Sequence, residues 1–254
     1  MYKIIHNKDI IRQIKQKGFC IIKNLYSKKE INQIKSNLLE ILHYIHPKKI
    51  KDLNKKYFQI KKFDKKLKGN FFDLLSHEIS TLNILHREEL VDLVRKYFKT
   101  KVVFSGRPAI HIHDSDNDRF LEPHQELNQF ARDFLFVWAP LFDANKEKGS
   151  LIVYEKSHLR GYYSHNNDNK LGSSHLKKEI YSKFKKIEIE IKSGDAVMLH
   201  SALIHGTLPT KKKGFVKYVM VERFNPLKKI PYLQNSKNPI KIPHFGVDYN
   251  QISD

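Results

Sequence analysis

From Thr100 onward the chain breaks into short β-rich runs, each too brief to stand alone and together too numerous for anything but a layered β fold. They cover residues 101–104 (KVVF), 108–113 (PAIHIH), 133–139, 150–154, 186–191, 195–200 and 215–222. Turn-forming segments separate them at 115–117, 145–149, Ser193-Gly194 and 211–214. Several short strands at such spacing predict a sandwich or closed barrel. An earlier apolar run, residues 19–25 (FCIIKNL), predicts one more buried strand.

The first hundred residues have a different period. Ser27 followed three positions later by Glu30 is a capping box. It opens a helix to about His46, with Ile31, Ile34, Leu38, Ile41 and Leu42 on one face. Residues 47–70 are lysine-rich and predict a loop with a short helix. A second helical region spans about 71–98, marked by Leu74, Leu75, Ile84, Leu85, Leu90 and Leu93. The expected fold class is therefore mainly β with N-terminal helices. One domain over 1–254 is expected: helical cover over 1–100, β core over 101–224 and an arm over 225–254 interrupted by Pro226, Pro231, Pro239 and Pro243.

A net charge of +20 raises the question of nucleic acid, but its make-up argues against such a partner. The chain has 39 lysines and 8 arginines, beside an excess of Ile and Asn that AT-rich coding produces by itself. Specific recognition favours the two-point fork of arginine, and no nucleic-acid-binding motif is present. No apolar run approaches the ~18–20 residues of a membrane helix, and the opening residues lack a signal-peptide pattern. The single cysteine, Cys20, cannot form an internal disulfide. A cytoplasmic protein without a membrane partner is expected.

Most of the 14 histidines are expected to be surface or hydrogen-bonded core residues. His-x-Glu occurs twice. In His86-Arg87-Glu88 the helical context turns the two side chains in different directions. In His124-Gln125-Glu126 the context is β-like, so residues i and i+2 share a face and can reach one ion. A third ligand must come from elsewhere. The segment 194–207 reads as a turn, a strand and then His205 beside Gly206. Two histidines and one carboxylate with open positions form the facial triad of non-haem iron(II) oxygenases.

Four stretches carry a resemblance to a known family: Gly18–Ile22, Pro123-His124-Gln125-Glu126, residues 136–158 (FVWAPLFDANKEKGSLIVYEKSH) and Gly194–Pro209. In order and spacing they resemble the phytanoyl-CoA dioxygenase family of iron(II)/2-oxoglutarate oxygenases. The resemblance implies a double-stranded β-helix, or jelly roll, with Fe(2+), 2-oxoglutarate and O2 as cofactor and co-substrates and a small-molecule substrate. It implies that His124, Glu126 and His205 are the iron ligands. The family usually has Asp at Glu126, and its halogenating members have a small residue there, so Glu126 points to hydroxylation or a related oxidation.

The family arginine for the distal carboxylate of 2-oxoglutarate falls by ungapped counting at Val216, next to Lys217. Lys217 is the expected anchor, Arg223 on the same strand face is the reserve, and Thr207 is a hydroxyl donor to the same carboxylate. Asn128 and Gln129 are expected to orient substrate or co-substrate, and Arg107 and His111 to line the pocket. Trp138 reads as core and Ser157-His158 as a structural turn. Asp114, Asp116 and Asp118 lack the glycine and glutamate of a calcium loop. The expected substrate is a small polar metabolite, such as a sugar, a nucleotide-sugar or a natural-product intermediate. The competing readings are a non-enzymatic jelly roll that binds polyanions, and a degenerate oxygenase that holds metal without 2-oxoglutarate.

Overall fold

The computed structural model describes residues 7–63, 75, 77–106, 108–116, 121–126, 131–168 and 173–230. Helix α1 (Asn7–Lys17) precedes β1 (Phe19–Ile22) and was not expected from the sequence. It buries Ile10 and Ile14 one turn apart, with Asp9 in its first turn and Lys15 and Lys17 in its last. Helix α2 (Lys28–Ile45) starts at the capping box: Glu30 N donates to Ser27 Oγ at 3.2 Å, and Ser27 N to Glu30 Oε2 at 2.7 Å. It buries Ile31, Ile34, Leu38 and Leu42. Helix α3 (Leu53–Lys61) is capped by Asp52.

The region expected to be helical over 71–98 contains two helices, α4 (Ile79–Leu85) and α5 (Glu88–Phe98). Two signals divide them. Glu78 caps α4 through the amides of Ser80 and Thr81, and Glu88 and Glu89 sit in the first turn of α5. His86 and Glu88 part company at the break: His86 reaches the buried Glu222, while Glu88 pairs with Arg95. Residues 64–74, which include Leu74, lie outside the described residues.

Beyond the helices stand β2 (Val103–Ser105), β3 (Ala109–Asp114), β4 (Leu121–His124), β5 (Leu135–Pro140), β6 (Leu151–Tyr154), β7 (Asn166–Asp168), β8 (Ser173–His175), β9 (Lys186–Ile189), β10 (Ala196–His200), β11 (His205–Thr207) and β12 (Val216–Pro226). The larger sheet runs β1-β10-β5-β12-β2, with β3 also paired to β12; the smaller runs β4-β11-β6-β9. All these pairings are antiparallel. The two facing sheets form the double-stranded β-helix. The strand expected over 19–25 stops at Ile22, because the chain turns at Asn24 with φ of 53°. The arm expected from Asn225 begins as strand through Pro226 and a short 3-10 turn, Leu227–Lys229; residues 231–254 lie outside the described residues.

Two cores explain why the strands read as unbroken apolar runs. Phe136, Trp138, Leu151, Val153, Val197, Leu199, Val219 and Val221 fill the space between the sheets. Val216, Tyr218, Met220, Phe224, Val137 and Met198 pack on the other face of the large sheet with the helices. The period of two along β12 thus sends Lys217, Val219, Val221 and Arg223 toward the inside of the jelly roll. No described helix is long and apolar enough to cross a membrane.

Candidate metal centre

Strands β4 and β11 lie side by side, with His124 opposite His205. Their ladder is irregular. Two steps along β11, from His205 to Thr207, match three along β4, from His124 to Leu121. The extra residue sits at Glu122-Pro123, where the proline has no amide hydrogen to give to the ladder. Gly206 occupies the facing position on β11. A Cβ there would stand 2.5 Å from the Leu121 carbonyl oxygen, so the close approach requires glycine.

The bulge brings the His124 ring to 4.3 Å from that of His205, centroid to centroid. Each ring is oriented by its own backbone: Nδ1 of His124 lies 2.8 Å from Glu122 O, and Nδ1 of His205 lies 3.0 Å from Leu203 O. With those nitrogens donating, both Nε2 atoms are left as lone-pair donors aimed at a common point. Glu126 closes the group, its amide bonded to Ser201 O at 3.1 Å. Its Oε1 is 3.9 Å from His124 Nε2 and 3.7 Å from His205 Nε2. Those separations are too long for hydrogen bonds. They suit one ion held at the ~2.0–2.2 Å typical of nitrogen and carboxylate ligands. The three ligand atoms lie within 4.8 Å of one another, so the group could hold a metal ion.

The protonation states agree with that chemistry. Burial, then the neighbouring His205, pushes His124 down to about 3, so its imidazole is neutral. Burial alone would raise the Glu126 pKa, but the Arg223 charge and His205 hold it well below the usual carboxylate range. A neutral imidazole and an ionised carboxylate are the forms that ligate.

The structure separates the two inward-facing cations of β12. Arg223 Nε donates to Glu126 Oε2 at 2.8 Å, and Nη2 reaches Oε1 at 3.5 Å. Lys217 lies six residues away, roughly 20 Å of extended strand. It is buried, and its Nζ donates to Leu208 O at 3.1 Å. Its side chain thereby crosses from the large sheet to the residue after Thr207, itself buried on β11. Gly149, with φ of +85°, makes room for it: a Cβ there would meet Lys217 Nζ at 2.6 Å. The structure thus brings Lys217 close to Thr207 and joins Arg223 to Glu126.

His111 stands on β3 opposite Val219, on the same inner side of the large sheet as Lys217. Arg107, Asn128 and Gln129 lie outside the described residues. Trp138 packs between the sheets. In the Ser157-His158 turn, Ser157 Oγ accepts from Ile204 N and the His158 ring contacts Lys15 O.

Gln125, between the two candidate ligands, was missed from the sequence. Its side-chain nitrogen donates to Ala202 O at 2.6 Å and Gly161 O at 2.9 Å, and its oxygen accepts from Tyr163 N at 2.9 Å. His165 Nε2 accepts from the Gln125 amide at 2.9 Å. The alternation that turns His124 and Glu126 one way turns the residue between them the other, and this is the signal that could have identified it.

The phytanoyl-CoA dioxygenase model matches residues 14–214. The chain belongs to the phytanoyl-CoA dioxygenase family. A search of curated protein sequences finds no match. Among solved structures, the chain resembles the epimerase SnoN in complex with Fe3+, alpha ketoglutarate and nogalamycin RO. The TM-score is 0.63 at 11% identity, covering 95% of this chain and 92% of that one. AviO1 from Streptomyces viridochromogenes is similar at TM-score 0.61 and 14% identity, covering 90% and 98%. EctD from S. alaskensis is similar at TM-score 0.61 and 13% identity, covering 90% and 81%. At such identities the likeness is one of fold.

Proposed function

We propose that this member of the family is an iron(II)/2-oxoglutarate-dependent dioxygenase that hydroxylates an unactivated C–H bond of a small polar metabolite. The observation that carries the reading is the convergence of His124 Nε2, His205 Nε2 and Glu126 Oε1, with both histidine tautomers set by backbone carbonyls. These three side chains would hold the iron. When bound there, iron(II) supplies the activation of dioxygen, coupled to decarboxylation of 2-oxoglutarate to succinate and CO2.

The other assignments concern the chain's own groups. Lys217 and Thr207 hold the distal carboxylate of 2-oxoglutarate, and the apolar walls formed by Phe136, Val219 and Val221 exclude water between the sheets. Arg223 serves Glu126 instead of the co-substrate. His111 lines the substrate side of the pocket, and Arg107, Asn128 and Gln129 keep the substrate-binding roles assigned to them from the sequence. SnoN, which is similar in fold, is an epimerase from nogalamycin biosynthesis, and this supports a natural-product intermediate as the substrate. The retained carboxylate at position 126 supports hydroxylation over halogenation.

Anaerobic addition of iron(II) and 2-oxoglutarate should produce a weak visible charge-transfer band that His124→Ala abolishes. A screen of polar metabolites should then yield succinate together with a singly oxygenated product. Absence of the band in the wild type, or its persistence without His124, refutes the assignment.

A further inference from the structure

We infer that Arg223 is a positioning residue that confines Glu126 to one metal-facing oxygen, which makes a glutamate workable where the family usually has the shorter aspartate. The inference rests on the metal-site reading above. A glutamate carries one more methylene and one more rotatable bond than aspartate, so its carboxylate can swing and present both oxygens to the same ion. Bound in that way it would fill a position that the facial arrangement leaves open for the co-substrate.

The geometry divides the two oxygens. Arg223 Nε holds Oε2 at 2.8 Å, while Nη2 meets Oε1 at the longer distance of 3.5 Å. Oε1 is the atom that faces both histidines, at 3.7 and 3.9 Å. Arg223 itself is well anchored. It is paired with Phe136 of β5 in the middle of the large sheet, its backbone amide donates to Glu222 Oε1 at 2.7 Å, and its side chain is only 11% exposed. Guanidinium stays charged at every working pH and directs its donors in a fixed plane, so it fixes the orientation of the carboxylate as well as its charge. Glu126 is tied at the other end, through its amide to Ser201 O. A side chain held at both ends has lost the freedom that makes glutamate a loose ligand.

The test uses cobalt(II) as the probe metal and the full-length chain, read by visible absorption as 2-oxoglutarate is added. Wild type should bind cobalt(II) and change its spectrum on titration with 2-oxoglutarate. Arg223→Gln should keep cobalt(II) affinity within a few-fold, shift the spectrum of the metal alone, and bind 2-oxoglutarate ~10-fold or more weakly. Arg223→Lys, which keeps the charge but not the fork, should recover part of that loss at an unchanged Tm. If Arg223→Gln does not fold, Arg223→Lys decides by itself: a 2-oxoglutarate affinity equal to wild type overturns the inference. Wild-type spectra and affinities in folded Arg223→Gln overturn it too. A wild type that binds no cobalt(II), or whose cobalt spectrum ignores 2-oxoglutarate, refutes the metal-site reading first and the inference with it.

Discussion

Replacing Gly206 with alanine adds a single methyl group between the two strands that carry the candidate histidines, and its effect follows from the backbone. The new Cβ would lie 2.5 Å from Leu121 O, where ordinary contact begins at 3.4 Å and real Cβ atoms essentially never come within 3.0 Å. Strand β4 must therefore move away from β11 by ~0.5–0.9 Å, since the obstacle is a carbonyl and not the end of a flexible side chain. His124 moves with β4 and His205 stays with β11. Metal–ligand distances tolerate only ~0.2 Å, so the site is misaligned by several times its tolerance. Overpacking of this kind costs ~1–3 kcal/mol, or a fall in Tm of roughly 2–12 °C for a chain of this size. Metal binding should suffer beyond that global cost. Cobalt(II) affinity, measured by titration well below the variant's Tm, should fall by at least ~10-fold, while far-ultraviolet circular dichroism stays that of the wild type. Gly206→Ala with a Tm within 1 °C of wild type and cobalt(II) affinity within about twofold would refute the claim that the β4 bulge aims His124.

Three further outcomes are expected. Lys217→Met keeps the length of the side chain and removes its charge; 2-oxoglutarate affinity should fall ~10–100-fold, the value of a charged hydrogen bond, with Tm unchanged or higher because a buried cation is gone. Equal affinity in calorimetric titration would dismiss Lys217 as the anchor. Gln125→Ala strands the Ala202 and Gly161 carbonyls and the Tyr163 amide, so Tm should fall by several degrees and cobalt(II) affinity with it; a variant as stable as wild type contradicts the bracing role. His86 is held above its ordinary pKa by its hydrogen bond to Glu222, against the effect of burial. A raised folded-state pKa gives stability that is complete below about pH 6.5 and is lost as pH rises through the folded value. The Tm difference between wild type and His86→Gln should therefore shrink from pH 6 to pH 9, and a constant difference would show that the pair carries no charge.

Much of this architecture was legible because burial on two sides writes continuous apolar strands. Residues 133–139 and 215–222 predicted β5 and β12 almost in place, since both faces of the large sheet are covered. The two shortest strands at the site were harder. In β4, Pro123 argues against a regular strand, and β11 is three residues long with a glycine at its centre. Helix α1 was written in the sequence, in Ile10 and Ile14 with opposite charges at its two ends, but lysines and glutamines dilute the pattern. The residue types of the candidate metal group were readable from His-x-Glu and a distant histidine. The tautomers were not, because Glu122 O and Leu203 O are backbone groups that no residue type encodes.

Strand β12 shows why counting along a sequence could not say which partner each of two like cations meets. Lys217 and Arg223 share a face, a charge and a strand, so periodicity alone made one the substitute for the other. Only the partner strands distinguish them. At one end β12 lies beside β3, and the lysine reaches across to the chain just after β11; at the other it lies beside β5, and the arginine meets Glu126. Val219 and Val221 between them pack in the apolar inter-sheet core, so apolar side chains stand between the two charges along the strand. On the proposed assignment, a strand with a cation at each end and valines between serves a metal-binding carboxylate and a co-substrate carboxylate at once. Exchanging the two residues, Lys217→Arg with Arg223→Lys, leaves net charge and composition untouched. It should nevertheless weaken 2-oxoglutarate binding, because a lysine at 223 cannot fix both the orientation and the charge of the Glu126 carboxylate as the guanidinium does. Unchanged binding in the exchanged protein would mean that charge alone, and not the shape of the donor, sets the site.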